Sequence, residues 1–263
     1  MLGASNKKGR INKRLLSNIL FFLAAVLLVG GIVMLSYDMI KRHLRQEKID
    51  EATTDMEQVI ALNAASLEAN GEDFEEAVMT LVIDPSELEV YGEDYDYYYN
   101  DYSDEVISGR RGEVTSEIDN ANTGYITIQG VGILDIPVID LHVPIWETTN
   151  SDTLRYGVGH YVNSVTPGSN GNCTIVGHHM LKYGSIFNRL EEVQIGDIIN
   201  ITDMRGHQYT YFVDELLVVT AEEMLNYVNG GITDTRQVTL ITCVYTDQGK
   251  KRLLVIGHIQ DGT

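Results

Sequence analysis

Val238-Thr239-Leu240-Ile241-Thr242-Cys243, followed by Arg252 in the run Lys251-Arg252-Leu253-Leu254-Val255-Ile256, is the stretch that decides how this chain folds. A β-rich apolar run ends in a thiol, a short polar loop intervenes, and a second apolar run opens on a guanidinium. This pattern predicts two strands that place Cys243 and Arg252 side by side. A thiol acts as a nucleophile only as its thiolate, a form that a neighbouring cation favours. Such a pair still needs a group to move protons, and Thr174-Ile175-Val176-Gly177-His178-His179 supplies one, at the end of another apolar strand. In an extended strand the two histidines point to opposite faces, so only one can look at Cys243. Thiol, imidazole and guanidinium at strand ends suit acyl transfer through a covalent thioester.

At these residues the chain resembles the sortases, cysteine transpeptidases of Gram-positive bacterial surfaces, over roughly Gly124 to Asp261. The Thr-Leu-Ile-Thr-Cys run with Arg252 behind it carries most of the likeness, and Gly177-His178 adds to it. The resemblance implies an eight-stranded β-barrel and a catalytic set of His178, Cys243 and Arg252, since the family's histidine follows a small residue, here Gly177. It implies no cofactor and no metal. It further implies a substrate with a Leu-Pro-x-Thr-Gly-like sorting signal on a surface protein or pilin, cut between Thr and Gly. The acceptor is then an amine, either a pilin lysine or a cell-wall cross-bridge. Gly132 to Val138 and His142-Val143-Pro144-Ile145 resemble the pilin-polymerising, class C-like group, towards which the reading leans. His178-His179-Met180 with Gly184-Ser185-Ile186-Phe187 is similar to the haem-uptake anchoring group, but Val219 to Val238 has room only for a short helix.

Outward from this region, many short apolar runs are separated by Gly and Asp turns. They lie at Tyr125–Ile128, Ile133–Val138, His142–Ile145, Cys173–Val176, Ile198–Ile201, Gln208–Val213, Leu216–Val219, Val238–Thr242 and Leu253–Ile259. Brief helices are expected over Leu181–Leu190 and Ala221–Val228. The pattern is mainly β and predicts a closed or nearly closed barrel. Of the remaining histidines, His142, His160, His207 and His258 read as satisfied barrel or loop residues, and His43 lies beside the membrane. Cys173 could pair with Cys243 in an extracellular disulfide, but a bridge would consume the nucleophile, so a small buried apolar role is the simpler reading.

The N-terminal half reads differently. Leu15 to Tyr37 is apolar with little interruption, about the twenty residues a helix needs to cross a bilayer. It is longer than the apolar core of a usual cleaved signal peptide and lacks a clear cleavage site. Lys7, Lys8, Arg10, Lys13 and Arg14 before it favour a cytoplasmic N-terminus and an extracellular remainder. The expected organisation is a basic cytoplasmic tail over 1–14, a membrane anchor over 15–37, a helical stalk and acidic Tyr-rich linker over 38–123, and the catalytic barrel over 124–263.

Within 38–123, Met56, Val59, Ile60 and Leu67 mark one helix, acting as a stalk or as a cap on the domain behind. Phe74, Ala77, Val78, Leu81 and Val82 follow helical spacing and predict a second. Asp84-Pro85 and the acidic Tyr91–Glu105 stretch would be a linker or a lid, and carboxylates there or at Glu191-Glu192 are the candidates for calcium, without a spaced ligand loop to support it. The chain has 19 basic and 38 acidic residues. Nine of the basic ones precede Ile49, leaving 10 against 36 beyond it. So acidic a body would repel phosphate backbones, which excludes nucleic acid as a partner. A cysteine hydrolase using the same three residues, or a surface assembly module, are the competing functions.

Overall fold

The computed structural model describes residues 13–83, 126–150, 153–179, 186–228 and 234–260. The chain divides into two compact units, Met1–Leu44 and Arg45–Thr263. In the first, the segment Leu16–Met34 of helix α1 (Lys13–Asn70) has a mean hydropathy of 2.5 and no buried side chain, and is long and apolar enough to cross a membrane.

The second unit is built on β-strands. They are β1 (Thr80–Ile83), β2 (Ile126–Ile136), β3 (Leu141–Glu147), β4 (Val158–His160), β5 (Gly171–Val176), β6 (Ile198–Asp203), β7 (Gln208–Val219), β8 (Arg236–Thr246) and β9 (Gly249–His258), with the short helix α2 (Ala221–Val228) between β7 and β8. The strand order is β1-β2-β3-β4-β5-β8-β9-β7-β6, and β6 pairs back onto β2. Eight strands therefore close a ring, and β1 extends β2 outside it. Alternation along the strands divides the side chains. Leu134, Ile136, Val143, Ile175, Val238, Leu240, Leu253 and Val255 fill the interior. On the other face of β8 and β9, Ile241, Leu254 and Ile256 pack under Met224 and Val228 of α2.

Several local expectations are corrected. Ile126–Ile128 and Ile133–Ile136, from two separate expected runs, are one strand, β2, whose register slips between Gly130 and Gly132 against β3, and Pro137–Ile139 form a 3-10 turn after it. Gly132 has φ +156°, and a Cβ there would collide with the Thr202 carbonyl of β6, so the glycine makes a bulge rather than a turn. Likewise Gln208–Val213 and Leu216–Val219 are one strand with an irregularity between Val213 and Glu215. The helix expected across Phe74–Val82 does not form: Thr80–Ile83 pairs antiparallel with Ile126–Gln129 of β2, where a β-branched run gains a ladder that an isolated short helix lacks. Strand β4, three residues long, carries too little alternation to be read from sequence. Of the helix expected over Leu181–Leu190, residues 181–185 lie outside the described residues and Leu190–Glu192 forms a single 3-10 turn. Asp84-Pro85 and Tyr91–Glu105 also lie outside them.

The segment 45–70 is a cap on the barrel. Ala52, Met56 and Ile60 are buried with Met79, Ile83, Ile128, Ile133, Trp146 and Tyr156. The Asn63 side-chain amide donates to the carbonyls of Ala77 and Met204, at 2.9 and 2.8 Å, and its oxygen accepts from the Ala77 amide. One side chain thus ties helix, β1 approach and barrel together.

Candidate active site

Two hairpin strands set the first two groups. In the β8–β9 ladder Cys243 is directly opposite Arg252, which puts their Cα atoms about 4.5–5.5 Å apart. Both lie on the face away from the barrel interior, in line with Ile241 and Leu254, because Val244 and Leu253 next to them point inward. Cys243 is half-buried. Arg252 is only 2% exposed, and its Nη1 donates to the Lys251 carbonyl at 3.3 Å. It is therefore a fixed cation beside the thiol and not one more residue of a solvated basic loop.

The third group arrives from β5, which runs parallel to β8 with Val176 opposite Ile241. The contact continues past the strand end: Gly177 N–H donates to the Ile241 carbonyl at 3.0 Å, and Thr242 Oγ1 donates to the Gly177 carbonyl at 2.8 Å. Gly177 thus keeps to the edge of β8 beyond the last paired residue, and His178 follows it at the end of the strand pair towards which Cys243 lies. Within β5, Cys173 and Ile175 point inward, and Val176 packs on the opposite face with Ile241. His179 Nε2 is 3.8 Å from Glu191 Oε1.

Burial is the main influence on the His178 imidazole and, with the positive charges of Arg45, Lys250 and Arg155, pulls its pKa down to about 3. It is neutral at physiological pH, and the same depression makes it a weak base whose imidazolium, once formed, is a strong acid.

Comparison with known proteins shows the family. The sortase-domain family model matches residues 134–260. Sortase D of Bacillus subtilis (strain 168) is 30% identical over 156 residues, 57% of this chain and 74% of that protein. The chain belongs to the sortase family. Sortase A of Bacillus anthracis is 26% identical over 161 residues, 61% of this chain and 74% of its own length. A solved structure of sortase A from Corynebacterium diphtheriae overlaps with a TM-score of 0.48 at 27% identity, covering 84% of this chain and 95% of that one.

Four other histidines of this sortase have structural partners. His142 Nε2 is 3.0 Å from Glu57 of α1, His207 pairs with Asp203, and His258 bridges Asp214 and Gln237. His160 is buried, 3.3 Å from Glu147 and 3.0 Å from the Val165 carbonyl. Burial pulls its pKa down, but its contacts with Cys173 and Glu147 outweigh this and hold it at about 10. Cys173 is a free, buried thiol. It is opposite Val238 in the β5–β8 ladder, which puts it roughly 17 Å along the strand from Cys243, far beyond the Cα separation a disulfide spans. Among the described residues no group of three or more His, Cys, Asp or Glu side chains could hold a metal ion.

Sequence reading missed two contributors. Neither Arg45, in the basic stretch after the anchor, nor Arg155 was among the expected site residues, yet both are buried and their charges act on His178. It also missed why a glycine precedes His178: the Phe187 ring packs against Gly177, and the Phe187 amide donates to the His178 carbonyl at 3.0 Å.

Proposed function

We propose that this sortase is a membrane-anchored transpeptidase that uses Cys243, His178 and Arg252 to cut a Leu-Pro-x-Thr-Gly-like sorting signal and join the released carboxyl end to an amine. The observation that carries this reading is the outward face shared by the Cys243–Arg252 cross-strand pair and the end of β5. Neutral His178 takes the Cys243 proton as the sulfur attacks the Thr carbonyl carbon. The oxygen becomes an anion, and the Arg252 guanidinium, already fixed and never deprotonated, supplies the positive charge that stabilises it. His178 then gives its proton to the departing Gly nitrogen, leaving a thioester on Cys243. In the second half an incoming amine attacks the thioester, His178 accepts its proton and returns it to the sulfur, and the site is restored.

The Leu16–Met34 segment supports a single-pass anchor, with the catalytic domain outside the cell by the basic residues that precede it. The acceptor is a pilin lysine or a cell-wall cross-bridge amine. The test uses the full chain in detergent with a sorting-signal peptide, following acyl-enzyme by intact mass, with and without an added amine. A thioester adduct that forms in wild type and Cys173→Ala but not in Cys243→Ala, and that passes to the amine, is the expected result. Labelling on Cys173 would overturn the assignment. Release to water at the same rate whether or not amine is present would make the protein a hydrolase.

A further inference from the structure

Helix α2 is eight residues long, too short to persist without outside support. Its first turn carries a reciprocal cap: the Thr220 hydroxyl donates to Glu223 Oε2 at 2.9 Å and accepts from the Glu223 amide at 3.1 Å. That end is beside the reacting strands, because Val219, the last residue of β7, is opposite Arg252 of β9. The other end is where a helix leaves carbonyls without intrahelical partners, and β5 supplies them. Asn172 Nδ2 donates to the Tyr227 carbonyl at 2.7 Å, and Thr174 Oγ1 donates to the Val228 carbonyl at 3.2 Å. The Asn172 amide is aimed at the helix because its oxygen is taken by Thr239 Oγ1 of β8, which donates to it at 2.8 Å. Thr174 and Thr239 are fully buried and opposite each other in the β5–β8 ladder. Thr239, Ile241 and Cys243 alternate along one face of β8, so the clamp and the thiol stand at two ends of one row, about 13 Å apart. Helix α2, about 12 Å long, bridges the same two levels, with Met224 and Val228 packed on Ile241, Leu254 and Ile256.

We infer that Asn172 and Thr174 are positioning residues for substrate capture: by holding the far end of α2 they fix the helix that flanks the Cys243–Arg252 pair, and with it the surface on which the sorting-signal peptide lies. The inference rests on the proposed role of that pair in acyl transfer. A peptide extends well beyond its reacting carbonyl and meets the helix beside it, whereas a small electrophile meets the thiol alone. Loosening the clamp therefore weakens peptide binding and leaves the reactivity of Cys243 as it was.

The experiment follows cleavage of a sorting-signal peptide by the full chain in detergent, with iodoacetamide alkylation of Cys243, localised by mass, as the control. In Thr174→Val, which keeps the branched shape and removes the donor, KM for the peptide is expected to rise about fivefold, the scale of one lost buried hydrogen bond. Both kcat and the alkylation rate should stay within about twofold of wild type, and Thr174→Ser should restore KM by returning the hydroxyl. An unmoved KM, equal losses in binding, turnover and alkylation, or a serine variant no better than valine would overturn the clamp. Should Thr174→Val not fold, hydrogen exchange on Cys243→Ala decides: saturating peptide must slow the Leu225–Val228 amides by about threefold or more, and unchanged exchange refutes the inference. A wild type that forms no acyl-enzyme at all sinks the Cys243 reading as well, whereas normal acylation with an unmoved KM sinks only the clamp.

Discussion

Gly177→Ala is a one-methyl change that should damage both stability and catalysis, through a contact that the sequence does not advertise. A Cβ on residue 177 would lie 2.8 Å from Cε2 and 2.9 Å from Cγ of the Phe187 ring, and nearer still to Cδ2. Carbon atoms rest about 3.5–4.0 Å apart, so the ring must retreat by about 0.7 Å or more. It has nowhere to go, since Phe187 is fully buried among the interior side chains. Overpacking of this kind costs about 1–3 kcal/mol. The displacement reaches the site because the Phe187 amide holds the His178 carbonyl and Gly177 itself is pinned to Ile241 and Thr242. A shift near 1 Å in a proton-transfer group can cost about 10²-fold in rate. Urea unfolding and the rate of acyl-enzyme formation measure the two effects separately, and Gly177→Ala/Phe187→Leu should recover part of each by returning the space. A single variant that unfolds within about 0.5 kcal/mol of wild type, and acylates at an unchanged rate, would refute the packing argument.

Other outcomes follow from the same geometry. Arg252→Lys keeps a charge but loses the planar fork, so turnover should approach the roughly 10²-fold loss typical of deleting one oxyanion donor, with KM for the sorting peptide little changed; unchanged turnover in steady-state assays would remove Arg252 from the mechanism. His178→Ala should be nearly inactive in the acyl-enzyme assay and His179→Ala far less affected, since the two side chains diverge, and the reverse order would exchange their roles. Met56, fully buried beneath the barrel, should cost about 2–5 kcal/mol when cut to alanine, and a urea midpoint equal to wild type would show that the capping helix is not part of the folded domain. The His178 pKa is about 3 in the folded chain against the ordinary 6.5 of a histidine, so between these values the unfolded chain binds more protons. The advantage of the neutral folded form is complete above pH 6.5 and is lost as pH falls towards 3. His178→Gln should therefore gain stability relative to wild type across that window and show no pH-dependent difference above it, as read from urea midpoints against pH.

The sequence by itself determined what local chemistry can determine. Alternation in Val238–Thr242 and Leu253–Ile256 gave the two strands, the polar loop between them gave a hairpin, and a hairpin alone is enough to put Cys243 beside Arg252. The apolar length of the N-terminal run was legible for the same reason, because it depends only on neighbours in the chain. Tertiary structure decided the rest. The strand that leads to His178 lies beside the strand of Cys243 because β5 and β8, some 65 residues apart, pair in parallel with Val176 opposite Ile241, and a register between distant strands leaves no mark in either one alone. Phe74–Val82 has the spacing of a helix, but Thr80–Ile83 becomes a strand because the exposed edge of β2 is available to it. Arg45 follows the apolar run as one basic residue among several, and only the docking of its helix buries it. In each case a periodic pattern fixes which side of an element is apolar, while the partner that covers that side is a long-range choice made by the whole fold.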